Sequence, residues 1–599
     1  MKHYLPFIGL LSVLFLLVLN SDLLYMVQSR SLFMSGSIFL ADCLRVPGGF
    51  LTWLSLWFTQ FFYYPVLGGS MLIVLWLALY VVLQRAFRPS SSWSWVLLIP
   101  VVALLVSTVD LGYWIYLLKQ HGYWFRESLG ILFVALMLWV QGQECASRRS
   151  AVAIALSLIS YPLLGWYAVL ASLCVTMREL CRAIKSRSGW ALPVVAMVAL
   201  SFLPPLVAGR YDAFRLEEAF YAGFPVIESN LDFSWMLTMP FVVVGLSLVL
   251  LCLLPVQKPL KLGRYPWVLH VLVMALLTGI VVERNVEDAN YHAEMRLYRD
   301  VEEFRWKEVL QEMRDAAERG GSTRQMALCK DLALINLHRL DQMFEYSNGD
   351  VNRVMRDSCG AYMLYTCGPL LALHHGMTNT AIRWNIESSV EYGLSVSTLK
   401  VLTLAALING ESKVADKYLT MLNLNLFQSD WVRRYGPLVA DPSLIEEYPE
   451  LSMIRLMHSY PDDDVYGDKG HVEAELYKSF SNLINVNYPA IQEIGVYYAL
   501  KEKNPTRFWP QLRYYLQLNP GKKGSAVVND AAFIMHHHHT GGLSMNFSKD
   551  IQNRFDAFNN YISTHAHSGM SNDEIGEMIK NKFGKTYWWY YYFNNTKPY

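Results

Sequence analysis

Two carboxylates, Asp22 and Asp110, sit where an apolar run gives way to polar chain, the type and place of residue best suited to chemistry at a membrane boundary. A carboxyl group that is partly desolvated there has its pKa raised toward the range of a general base. Arg30, Arg45 and Arg210 lie in the connecting segments around these acids, and a guanidinium can hold a phosphate through two parallel hydrogen bonds. Each residue also has a plainer reading. Asp22 can cap or solvate the end of the first apolar helix, and Asp110 can be a solvated acid at a helix end. The loop 209–234, with Arg210, Asp212, Arg215, Glu217, Glu218 and Glu228, can be a set of surface ion pairs.

Other chemistry-bearing residues are weaker. His536 to His539 are four consecutive histidines that project in different directions; two of them with His565 or His567 would suffice for zinc, but the run reads first as a polar turn ahead of Gly541-Gly542. His374-His375 stands before Gly376 in the same manner. Cys43, Cys329, Cys359 and Cys367 lack the spacing of a metal or redox motif, so no metal site and no cofactor is assigned. The tail Tyr587 to Phe593 is expected to pack as an aromatic cap on the last helices.

The elements that must position these residues follow from composition. The chain has 599 residues, 53% hydrophobic and 17% charged, too apolar for a soluble protein of this length. Its mean hydropathy of +0.22 averages two unlike halves, since apolar runs fill the chain up to Val282 and charged, amphipathic sequence follows from Glu283. Lys+Arg at 51 against Asp+Glu at 50 leaves no basic excess, which argues against nucleic acid as a partner. The expected fold is all-α: a transmembrane domain over 1–283 and an extracytoplasmic helical-repeat domain over 284–599.

About nine spans are expected from runs near the ~20 residues that a bilayer core requires: 4–20, 66–84, 94–110, 127–142, 151–163, 164–177, 190–208, 235–254 and 266–282. The first run follows Met1-Lys2-His3 without a small-residue cleavage site, and is read as an uncleaved helix. Basic loops at Arg85 and Arg88, Arg148-Arg149, Arg178 to Arg187, and Lys258 to Arg264 fall in alternate connections, so they are expected inside, with the C-terminal half outside. The aromatic stretch 50–64 is placed as an interfacial or re-entrant helix on the outer face. A bacterial inner membrane with a periplasmic C-terminal domain matches this sidedness.

In the soluble half, Leu402, Ala405 and Ala406, a turn at Asn409-Gly410, and then Ala415, Tyr418, Leu419 and Leu422 resemble a tetratricopeptide-type helical hairpin. Such repeats commonly present a protein-binding face. The first expectation for function is therefore a membrane protein that presents a helical-repeat domain to a protein partner at the cell envelope; whether it is an enzyme stays open.

The order of parts also carries a resemblance. A first helix, an outer loop opening with Asn20-Ser21-Asp22, amphipathic outer segments, Pro47-Gly48-Gly49 and then many spans is similar in layout to polytopic, lipid-carrier-dependent glycosyltransferases. That resemblance implies Asp22, with Asp110 as a second carboxylate, acting on a polyprenyl-linked sugar, with arginines such as Arg30, Arg45 or Arg210 on its phosphate. The chain departs from the layout in having no second acid two residues from Asp22 and no acid in Tyr587-Trp588-Trp589-Tyr590. Overall it resembles more closely an uncharacterised family of bacterial multi-pass membrane proteins with helical outer domains.

Overall fold

The computed structural model describes residues 3–119, 122–143, 146–186, 235–259, 266–319, 322–345, 366–461, 472–521, 524–539, 545–566 and 569–594, with a few isolated positions between them. The span expected at 190–208, most of the loop 209–234 with Arg210, Cys359 and His567 lie outside the described residues. The described elements are helices, and no β-strand occurs among them.

The chain divides into two compact units. The first holds Met1–Glu287 together with Glu391–Ser397 and Thr420–Val432; the second holds Asp288–Val390, Thr398–Leu419 and Arg433–Tyr599.

Unit 1 begins with α1 (Tyr4–Ser12), continued as a π-helical stretch to Leu19, and α2 (Ser21–Ser29). Short helices α3 (Ser37–Leu44) and α4 (Gly49–Thr59) lead into α5 (Pro65–Phe87) and α6 (Leu98–Val109). Then come α7 (Phe125–Gln141), α8 (Ala146–Ile159), α9 (Tyr161–Leu164), α10 (Trp166–Ser186), α11 (Trp235–Leu253) and α12 (Pro266–Arg284). The core is a packing of α5 on α7, α7 on α10, α10 on α11, and α11 on α6. Gly130 lets α7 approach α10: a Cβ there would fall 2.4 Å from the Tyr167 ring.

Four described helices are long and apolar enough to cross a membrane, at Pro65–Phe87, Ser91–Val109, Met236–Leu253 and Trp267–Arg284, or five if Tyr4–Leu19 and Ser21–Ser29, bent by 68°, make one span. The expectation of nine is corrected accordingly. α7 stops at 17 residues and α8 at 14, below the length that a bilayer core asks for, and α10 carries Arg178, Glu179, Arg182 and Lys185 in its last turns. The 50–64 stretch is also too short to cross, since α4 has 11 residues and passes into a 3-10 turn at Gln60–Tyr63.

The two ends of this bundle differ in charge. At one end Arg178 donates to the carbonyls of Ala86 (2.9 Å) and Leu138 (3.0 Å), and Ser90 N donates to Val256 O at 2.9 Å, so the basic connections 84–88, 178–185 and 254–258 gather there. At the other end Val286 N donates to Val109 O at 3.2 Å, joining the C-terminus of α6 to that of α12.

Unit 2 is helical throughout its described residues. It starts with α13 (Ala289–Glu302), α14 (Trp306–Glu318) and α15 (Arg324–Asn336), each packed on the next. Asp288 caps α13 through Asn290 N, and Thr323 caps α15 through Met326 N, satisfying amides that a helix start leaves open. α16 (Gly368–His374), α17 (Thr378–Tyr392), α18 (Val396–Ile408) and α19 (Ser412–Asn423) follow. Leu402, Ala405, Ala406, Ala415, Leu419 and Leu422 are buried as their spacing suggested, and Gly410 takes φ +76° in the turn between α18 and α19. α20 (Ser429–Tyr435), α21 (Pro437–Ala440) and α22 (Pro449–His458) come next. α23 (Val472–Ser481), α24 (Pro489–Lys501) and α25 (Pro505–Leu518) then stack in sequence order. The unit ends with α26 (Ala526–His538), α27 (Lys549–Ala566), α28 (Asn572–Phe583) and α29 (Tyr587–Phe593).

Candidate functional site at the acidic end of unit 1

The first helix loses its register in the π-helical stretch and stops at Asn20, whose buried amide donates to Phe15 O at 2.7 Å. That bond folds the Asn20 side chain back onto the end of the stretch. The chain turns through 68° and restarts as α2. Asp22 stands in the first turn of α2 and accepts from Leu23 N at 2.9 Å, a placement that complements the positive end of the helix dipole.

Three consecutive residues at the end of α12 tie this turn to Asp110. Arg284 Nη1 lies 3.7 Å from Asp110 Oδ2, Asn285 Oδ1 accepts from Asn20 Nδ2 at 2.9 Å, and Val286 packs at Gly112. At the other end of α2, Arg30 donates to Tyr116 O at 3.0 Å with its guanidinium 5.2 Å from the Tyr116 ring centre. Tyr116 belongs to the 3-10 turn Gly112–Leu117 that follows Asp110. Both ends of α2 are thus fastened to elements next to Asp110. Burial pushes the Asp110 carboxyl up to about 6, against the opposing pull of Arg284. A carboxylate poised there can take up a proton near neutral pH, and the Arg284 guanidinium 3.7 Å from it suits a phosphate.

Arg45 does not join this arrangement; its side chain is 79% exposed and pairs with Asp42 at 3.2 Å on the surface.

Sequence reasoning missed the two segments of the C-terminal half that belong to unit 1. Val396 N donates to Ser31 O at 3.1 Å, Ser35 N to Leu424 O at 2.9 Å, and Leu426 N to Gln60 Oε1 at 2.9 Å. Phe427 stacks on Tyr63 with centroids 5.6 Å apart and planes at 5°, and meets Phe61 and Tyr64 edge-on. Lys119 pairs with Glu391 at 2.7 Å. Residues 391–397 and 420–432 therefore pack on the chain just after α2 and on the turn before α5. Their signal was visible in Leu424-Asn425-Leu426-Phe427, an apolar tip where a helix connection is ordinarily polar.

The remaining singled-out residues lie in unit 2 and do structural work. His375 is fully buried, its Nδ1 bonded to Leu371 O and its Nε2 to Tyr498 OH, both at 2.7 Å; burial pushes it down to about 4, so Nδ1–H donates and Nε2 accepts. His374 packs against the rings of Phe304 and Trp306 and is pushed down to about 3, first by burial and then by His375. In the histidine run, His538 meets Tyr592 OH at 2.7 Å, and His536 and His537 lie against Phe547 and Phe555. Among the described residues no three His, Cys, Asp or Glu converge as metal ligands. Trp588 and Trp589 of the tail are buried and donate to Asp530 O and Gly576 O, which makes α29 part of the core. Asp331, wholly buried, pairs with Lys501 at 3.1 Å and accepts from Tyr477 OH at 3.0 Å. Neighbouring Lys330 donates to the carbonyls of Met343 and Glu345 and is pushed down to about 7, mainly by burial.

Compared with known proteins, residues 2–594 match the model of a family of unknown function, DUF6057. No curated protein and no solved structure matches.

Proposed function

We propose, for a chain that belongs to the DUF6057 family of unknown function, a membrane enzyme that transfers a sugar from a polyprenyl-phosphate carrier at the acidic end of unit 1. The observation that carries this reading is the contact of residues 284–286 with both Asp110 and the Asn20–Asp22 turn, which ties two acid-bearing elements and Arg284 together at one end of an apolar bundle, with Arg30 at the far end of α2 on Tyr116. In the transfer, a carboxylate removes the proton from the acceptor hydroxyl as its oxygen bonds to the anomeric carbon. The bond from that carbon to the carrier phosphate breaks, and the phosphate leaves with the electron pair toward Arg30 and Arg284. Asp110, held up to about 6, suits the base, and Asp22 orients the acceptor from the first turn of α2.

Sidedness follows from the same ends. With the basic connections read as inside, the site would face away from the cytoplasm, a sidedness that the positive-inside pattern supports. Counting the bent pair, five crossings bring the chain beyond Arg284 to that same face, the periplasm if the membrane is a bacterial inner one.

The test is turnover by the full chain in liposomes, with farnesyl-phosphoryl and undecaprenyl-phosphoryl sugars as probes. We expect polyprenyl phosphate release that falls at least ~100-fold in Asp22→Asn and in Asp110→Asn at unchanged abundance, the usual scale for a lost acid-base group. Release that both variants retain would remove the reading.

A second reading is supported by a different observation. Ile386 and Val390, four residues apart on α17, are 49% and 84% exposed, an apolar stripe suited to a protein partner. On that reading the helical domain recruits a protein, and charging the stripe with Ile386→Lys and Val390→Glu abolishes stoichiometric co-purification while leaving sugar transfer intact.

A further inference from the structure

The outer part of unit 1 contains a cavity of about 260 Å³ between α7, α10 and α11. Its wall is apolar, with Ile131 from α7, Leu170 and Leu173 from α10, and Phe241, Gly245 and Val249 from α11. Gly245 faces open space, since a Cβ built there meets nothing within 4 Å. Val242 and Leu246, which also line it, are 38% and 57% exposed, so the cavity is flanked by the apolar outer surface of a helix long enough to span. One end differs. Tyr167 lines the cavity with a buried hydroxyl that has no hydrogen-bond partner among the described residues, as do Arg126 Nε and Glu127 Oε1. Arg126 Nη2 reaches Gly223, beside Phe224 of the cavity wall.

An apolar slot with two unpaired donors, Tyr167 OH and Arg126 Nε, beside the buried Glu127 carboxyl at one end matches a molecule with a hydrocarbon tail and an anionic head that the guanidinium holds against the neighbouring acid. We infer that this cavity holds the hydrocarbon chain of a phosphate-bearing membrane lipid, which enters past Val242 and Leu246 and sets its phosphate against Arg126 and Tyr167. A polyprenyl phosphate and an ordinary phospholipid share that chemistry. The inference rests on the proposed transfer reaction only for the choice between these two.

The experiment uses the full chain in phosphatidylcholine nanodiscs containing one of three probes with a diazirine near the tail end: polyprenyl phosphate, phosphatidylglycerol or diacylglycerol. Light should label 241–249 in α11 at least fivefold above α12, whose apolar face is exposed along its length. Gly245→Phe, which fills the slot, should remove that excess, and Gly245→Leu serves the same purpose should the larger ring disturb folding. Arg126→Gln should lower labelling by the two phosphate lipids and leave diacylglycerol unchanged. Stronger labelling by polyprenyl phosphate than by phosphatidylglycerol identifies the carrier as the occupant; the reverse identifies a phospholipid. Equal labelling of α11 and α12, unaffected by either Gly245 variant, overturns the inference. Labelling without sugar transfer would sink the enzyme reading and leave the lipid slot standing, whereas transfer that Gly245→Phe leaves untouched would exclude the carrier as the occupant of the slot and keep the enzyme reading.

Discussion

The two units handle buried charge in opposite ways. Among the described residues of unit 1, Glu127 is the one buried carboxylate and no lysine or arginine is buried, while Trp267, Leu272 and Leu276 of α12 stand more than 60% exposed. Unit 2 buries charges as pairs, with Asp331 on Lys501, Glu302 on Lys400 at 3.1 Å and Arg324 on Glu473 at 3.4 Å. An apolar exterior around unit 1 leaves little contrast between inside and outside, so its helices are held by close packing such as that at Gly130, and ionisable groups stay at the ends. Unit 2 accepts these three pairs inside because each charge in them has a partner whose loss would strand it.

The largest test of that contrast is Asp331→Leu. Removing the carboxylate leaves Lys501 buried and unpaired and Tyr477 without its acceptor, a loss on the order of 3–5 kcal/mol. Calorimetry of the full chain in detergent should show unit 2 melting much earlier, and adding Lys501→Met should restore most of the loss. If the double variant is as weak as the single one, unit 2 is not held by paired charge.

Phe427→Ala asks whether the contributions of the C-terminal half to unit 1 are held by aromatic contact. Three ring contacts vanish, and a half-buried phenylalanine should cost about 2–3 kcal/mol. Hydrogen exchange should speed up at 420–432 while α15 and α24 keep their protection; unchanged exchange at 420–432 would mean that the backbone bonds at Ser35 and Gln60 suffice.

The smallest effect is at Asp110. Because its folded pKa of about 6 lies above the ordinary carboxylate value, the protonated acid favours the folded state. Its contribution is fully present below about pH 4 and is lost as pH rises through about 6, on the order of 2 kcal/mol. Thermal melts of unit 1 should decline over that window, and Asp110→Asn should flatten the decline. Turnover should run the other way, falling as pH drops below about 6, since the base must be ionised.

Much of the candidate site was legible in the chain. Asp110 stands out because it follows an apolar run directly, Asp22 because it comes two residues after one, and Arg30 and Arg45 because few cations occur among apolar neighbours; only contacts separate Arg30, which reaches Tyr116, from Arg45, which faces solvent. Arg284 escaped notice because it reads as the ordinary basic end of a helix, and nothing local couples it to an acid 174 positions earlier. Asp331 and Lys501 escaped for the same reason, each lying in a helical run whose pattern does not mark it as buried.

By itself, then, the amino-acid sequence determines the local quantities: an all-helical chain, since helix periodicity and caps such as Thr323 and Ser571 are read within a few residues, and a division between apolar and amphipathic halves. Hydropathy also marks the runs at Pro65–Phe87 and Trp267–Arg284 that are long enough to span. Only the tertiary structure decides how many apolar runs become helices of spanning length, because α7 and α8 end where packing and polar residues end them. It alone brings residues 284–286 to Asn20 and Asp110, and residues 420–432 to the turn before α5. Those contacts join positions hundreds of residues apart, and a contact at that separation depends on the path of every helix between them, which no window of sequence contains.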